Sequence, residues 1–146
     1  MKLGTKIAIC MVGVAALGGC ASVPMAPGDA DAKAKTFVSP PSGQANIYVY
    51  RNETFGAAIK MPLLLDNQSI GDTGAHTFAF RQVAPGKHTI VSKTENDPSL
   101  DIDAQAGKTY YVWQEVKMGA FAARSALHLV DEEKGEAGVK ECKLIQ

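Results

Sequence analysis

The chain has 146 residues, with 15 basic side chains against 15 acidic ones. That length suits one domain with short extensions. The charge balance excludes a typical nucleic-acid binder, which carries a basic surface, and a polybasic helix lying on a membrane.

Lys2 and Lys6 form a positive start, and Ile7 to Leu17 follows as an apolar run. The run has signal-peptide length and is too short to cross a bilayer. It ends at Leu17-Gly18-Gly19-Cys20, which resembles the lipobox of bacterial lipoproteins. The two glycines let an extended backbone enter a narrow protease site, and the Cys20 sulfur can carry a diacylglyceryl group. The resemblance implies a signal peptide over 1–19, removed to leave Cys20 as the lipidated N-terminus. Several acyl chains hold a protein to a membrane where a single one would not. Ala21, rather than aspartate, follows the cysteine. By the enterobacterial sorting pattern this implies the outer membrane, facing the periplasm.

Loss of residues 1–19 also removes Cys10 and two lysines, so the remainder is slightly acidic. With Cys20 acylated, Cys142 is the one thiol left, and no disulfide framework is available to staple the fold. The core must hold it together.

Residues 20–43 are rich in Ala, Pro, Gly, Ser, Asp and Lys, and Pro24, Pro27, Pro40 and Pro41 interrupt any regular element. This composition predicts the lipidated cysteine followed by a flexible tether. The folded domain is expected over 44–146.

Strand signals then recur at short spacing. Ile47-Tyr48-Val49-Tyr50 is β-branched and aromatic, apolar on both faces. Met61 to Leu65 is a short apolar strand, and Pro62 within it predicts an edge position. Asp66-Asn67-Gln68-Ser69 reads as a turn, with Ile70-Gly71 after it. Phe78 and Phe80 alternate with polar or small neighbours at period two. Pro85-Gly86 is a turn, and Lys87 to Lys93 a strand. Leu100, Ile102 and Ala104 alternate with Asp101 and Asp103. Ala106-Gly107-Lys108 turns the chain into Thr109 to Val116, the longest strand, and Leu127 to Val130 is another. Strands at this spacing predict a mainly β fold, a small antiparallel β-sandwich. Asp131 to Cys142 is richer in Glu, Lys and Ala and allows a short C-terminal helix, which Gly135 and Gly138 weaken.

Several of these segments, in their order, resemble one family. They are Ile47-Tyr48-Val49-Tyr50-Arg51, Leu65-Asp66 with Ile70-Gly71, Val83-Ala84-Pro85-Gly86-Lys87-His88, and Ala106-Gly107-Lys108-Thr109-Tyr110-Tyr111-Val112. The chain is similar to the domain of unknown function 2846 family of bacterial lipoproteins, itself similar to PEGA-type β domains. The resemblance spans about Gln44 to Leu144 and implies a small β-sandwich. It supplies no catalytic residues.

Motifs that could carry chemistry are weak. Gly107-Lys108-Thr109 looks like the end of a phosphate loop, but Ile102 stands where that loop needs glycine, and a strand follows rather than a helix. Asp97, Asp101 and Asp103 lack the glycine and glutamate of a calcium loop, and they read as the wet face of a strand. His76, His88 and His128 are too widely spaced for a metal pair, and His88 reads as fixing the turn after Pro85-Gly86. Cys142 has no nucleophile context, and no Gly-x-Ser-x-Gly elbow exists. No catalytic residue, metal or cofactor is expected. Tyr48 and Tyr50 share one strand face, and Tyr111 and Trp113 share another. Exposed, these four could stack on a sugar or grip a partner; otherwise they pack in or beside the core.

The sequence therefore predicts a non-enzymatic lipoprotein, held to the membrane through lipid on Cys20 and binding an envelope protein, with no nucleic-acid role. The alternative is a module for cell-wall glycan or peptide that uses Tyr111 and Trp113. A hydrolase ranks last.

Overall fold

A computed structural model describes residues 20–146. The expected signal peptide, 1–19, lies outside the described residues. The chain forms α1 (Gly28–Ala34), β1 (Ala45–Arg51), β2 (Met61–Leu65), β3 (Gln68–Thr73), β4 (Thr77–Val83), β5 (Gly86–Ser92), β6 (Ser99–Ala104), β7 (Thr109–Lys117), β8 (Arg124–Val130), α2 (Glu132–Lys140) and β9 (Lys143–Leu144). Two sheets pack face to face, one of order β8-β7-β1-β4-β9 and one of order β3-β2-β5-β6. The fold is the expected mainly β sandwich with a short C-terminal helix. Most pairings are antiparallel, but β1 runs parallel to β7, and β4 parallel to β9.

β1 is buried along its whole length. It lies in the middle of its sheet, and both faces are covered, which is why the sequence there is apolar on both sides. Ile47 and Val49 point inward, against Leu63 and Ile90 of the other sheet and Val112 of β7. Tyr48 and Tyr50 point outward, into a second cluster with Phe78, Tyr111 and Val139 that α1 and α2 cover. The protein thus has three layers: a sheet, a sheet, and a layer of short helices.

The inner layer carries one polar chain. Gln114 accepts from Thr73 Oγ1 at 2.5 Å and donates to Ser92 Oγ at 2.7 Å, and Ser125 Oγ bonds Ser92 Oγ at 2.7 Å. All four residues are buried, so the polar atoms must satisfy one another.

Two sequence expectations need correction. Pro62 is not on an edge strand, because β2 lies between β3 and β5. Its carbonyl accepts from Lys93 N, so its missing N–H faces the β5 side, beyond the β2–β5 ladder that begins at Leu63. The proline therefore breaks no ladder bond.

Residues 20–43 are not a loose tether along their length. Val23 and Ala34 are buried, Met25 bridges Ile145, and residues 28–34 form α1. The Tyr48 hydroxyl donates to Ala34 O at 2.9 Å, and Leu144 N donates to Asp31 Oδ1 at 2.8 Å. The small residues that made this segment look flexible let its backbone lie close to an aromatic surface.

Candidate interaction surface

The four aromatic candidates lie together on one face, as their register requires. Tyr48 is opposite Phe80 on one side and Tyr111 on the other, and Tyr50 is opposite Phe78 and Trp113. Tyr48 stacks on Tyr111 with ring centroids 5.2 Å apart, and Phe37 tilts over both rings. The helices above seal this row. Tyr48 and Tyr50 are each 1% exposed and Tyr111 3%. Burial pushes the Tyr48 and Tyr50 phenols up to about 12 and raises Tyr111 as well. These three cannot serve as contacts for a ligand or partner in this arrangement. Trp113 alone is half-buried. It stacks on His128 at 5.1 Å, and Lys134 Nζ lies 5.0 Å from its ring.

The other polar candidates occupy separate structural bonds. His76 Nε2 is 2.9 Å from Thr54 Oγ1, and His128 Nε2 is 2.8 Å from Glu115 Oε2. His88 lies between Asp66 Oδ2 at 2.6 Å and the Ala84 carbonyl at 2.7 Å, so it does brace the turn before it. Asp101 accepts from Thr89 Oγ1, and Asp97 from Lys93 and Thr94. Gly107 has φ +79°, and its N–H and the Lys108 carbonyl pair with Gln44 and Asn46. Gly107-Lys108-Thr109 is thus a turn into β7. Among the described residues, no group of three or more His, Cys, Asp or Glu could hold a metal ion. Cys142 is 1% exposed, its thiol donates to Arg51 O, and burial pushes it up to about 12.

The surface that does stand out was not singled out in the sequence. At one end of the sandwich, the loop between β1 and β2 (52–60) meets the loop between β7 and β8 (118–123). They enclose an open groove of about 420 Å³. Phe121 is 100% exposed, Met118 81%, Phe55 54% and Ile59 38%. Isolated apolar side chains on a surface are ordinary, but four on two touching loops form a patch.

Both loops are held from beneath by charged groups. The buried Arg51 guanidinium donates to Ile59 O at 2.8 Å and Gly56 O at 2.6 Å, and Glu53 accepts from Val116 N at 2.7 Å. Glu95, on the β5–β6 loop, accepts from the backbone N–H groups of Phe121 and Ala122 at 2.8 and 2.7 Å. It also accepts from Ala120 N and from Arg124 Nε. The Ala122 and Phe121 amides, with the others, hold its carboxyl down at about 2. The charge is spent on shaping the loop, and the apolar side chains face away from it.

Cys20 lies next to the 52–60 loop that carries half of this patch. Ala21 N donates to Ala57 O at 2.8 Å, and Cys20 is exposed. A connection containing Phe55, or Met118 and Phe121, between two clear strands was the available signal, since loops are normally polar. Their closeness to Cys20 had none.

Together the fold and this surface define a small β-sandwich with an exposed apolar patch on the loops at one end. The chain belongs to the family described as protein of unknown function (DUF2846), which matches residues 41–126. It is also 33% identical over 136 residues to an uncharacterized protein of Haemophilus influenzae, covering 92% of this chain and 81% of that protein. No solved structure matches the chain.

Proposed function

We propose that the chain is a lipid-anchored, non-enzymatic envelope protein, and that its β domain works by binding another envelope protein. In this reading residues 1–19 are the leader and Cys20 carries the lipid. The outer membrane, facing the periplasm, is the expected address. The observation that supports it best is the Ala21–Ala57 hydrogen bond. It ties the candidate lipid site to one end of the sandwich. The turns at 66–67, 84–85 and 105–108, at the opposite ends of the strands, are then directed into the periplasm, where a partner can reach them.

Burial of Tyr111 removes one of the two residues that a glycan- or peptide-binding groove was to use. Protein binding is therefore preferred over a cell-wall ligand.

The test has two arms. Cys20→Ala should abolish lipid attachment and removal of the leader, leaving the full-length precursor; continued processing to the shorter form would overturn the anchor. Crosslinking from the 105–108 turn in intact cells should trap one specific envelope protein. Recovery of no partner would count against the binding role.

A further inference from the structure

We infer that the loop end carrying Phe55, Ile59, Met118 and Phe121 docks into the lipid bilayer beside the acyl chains of Cys20. The inference rests on the lipid-anchor reading and adds an orientation and a second membrane contact to it.

The first argument is reach. Acyl chains on Cys20 bring its backbone to the headgroup level. One residue advances an extended chain by about 3.5 Å, and the next residue, Ala21, is already bonded to Ala57 in the middle of the 52–60 loop. No slack separates the anchor from the domain. The loop must lie at the membrane surface or the Ala21 bond must break.

The second argument is the chemistry of what lies there. Apolar and aromatic side chains are favoured at the boundary between headgroups and acyl chains, where a flat anchor-side surface would otherwise meet water. Phe121 is fully exposed, although Glu95 could as readily have shaped a loop with a polar side chain at that position. Lys60 is exposed next to Ile59, where it can meet an anionic headgroup, while Lys117, next to Met118, pairs with Glu115 at 3.0 Å. Glu95, the acid nearest the tip, faces inward onto three backbone N–H groups and Arg124.

The third argument is rigidity. Arg51 and Glu95 fix both loops before any contact is made. Little ordering cost then opposes insertion of the four side chains.

The full chain, purified from membranes with a nitroxide at Ala120→Cys or at Gln105→Cys, tests this in vesicles of phosphatidylethanolamine and phosphatidylglycerol. The label at 120 should meet dissolved oxygen in preference to an aqueous nickel chelate, and the label at 105 should show the reverse. Phe121→Ser combined with Met118→Ser should abolish the oxygen preference at 120 while the chain stays on the vesicles. The mass of the Cys20 peptide reads the anchor separately. If 120 and 105 are equally aqueous, docking is overturned, whether or not acyl chains are present. If acyl chains are absent, the anchor reading falls, and docking stands only if 120 still enters the vesicles.

Discussion

Gly138 of α2 lies against the ring of Tyr50 so closely that a Cβ there would be 2.2 Å from Tyr50 Cε2. One turn earlier, Gly135 stands in the same relation to Tyr111, with its Cβ position 2.2 Å from Cγ. In an exposed helix, Gly→Ala adds stability, by about 1 kcal/mol. Here Gly138→Ala should instead lower it, by about 1–3 kcal/mol, as overpacking lifts the helix from the sheet. Urea denaturation reads the loss. Tyr50→Leu in the same chain should make the combined cost smaller than the sum of the two single costs.

The polar chain between the sheets makes a second expectation. Gln114→Leu keeps the bulk but strips Thr73 and Ser92 of a partner where water does not reach. The loss should be about 1–3 kcal/mol, read as a lower denaturation midpoint with an unchanged slope.

His88 supplies a pH dependence. Burial alone would lower its pKa, but Asp66 and the Ala84 carbonyl outweigh burial, and the net shift is upward. Both ring nitrogens face acceptors, so the cation fits best. The stabilisation is complete below the ordinary value of 6.5 and is lost as pH rises through the higher folded value. Asp66 is lowered by its His88 hydrogen bond first, so its share is present above 3.8 and lost as pH falls. Asp66→Asn tolerates the local φ of +51° and keeps an oxygen for Thr89 N. It should bring the His88 midpoint down in an NMR titration. The stability cost near neutral pH should be about 1 kcal/mol or less, since Asp66 is half exposed.

Glu95 should make the 118–123 loop acid-sensitive. Its carboxyl titrates near 2 rather than 4.5. Its contribution is therefore complete above about pH 4.5 and fades as pH falls toward 2. Over that interval the Phe121 and Ala122 amides should lose protection, their hydrogen exchange rising relative to the intrinsic rate at each pH. Glu95→Gln should show the lowered protection at neutral pH already.

Cys142 should resist alkylation in the folded chain, because its thiol is buried and shifted far upward. Iodoacetamide should label it only in denaturant; labelling at the same rate in both states would contradict its placement.

The strands were legible because alternation and β-branched runs report burial directly, as in Leu100-Asp101-Ile102-Asp103-Ala104. Asp66-Asn67 was legible as a turn, and both residues take the positive φ, +51° and +64°, of a tight hairpin. What the sequence hides is the identity of the covering partner. Periodicity places Tyr48 and Tyr50 on one face, but only the path of α1 and α2 decides that the face is dry. The same blindness made Gly135 and Gly138 look like weak points of a helix, when they are its contact surface. It also made residues 20–43 look loose. β9 is two residues long and carries no pattern of its own.

The parallel pairing of β1 with β7 has a consequence for the nascent chain. β1 takes its antiparallel neighbour from β4, but the opposite flank of its ladder is filled only by residues 109–113. Until those emerge, a strand of tyrosine, valine and isoleucine presents bare amides and carbonyls along one side, an invitation to a neighbouring polypeptide. Chains arrested before Thr109 are the ones expected to aggregate, and chaperone demand should fall once β7 has threaded into place.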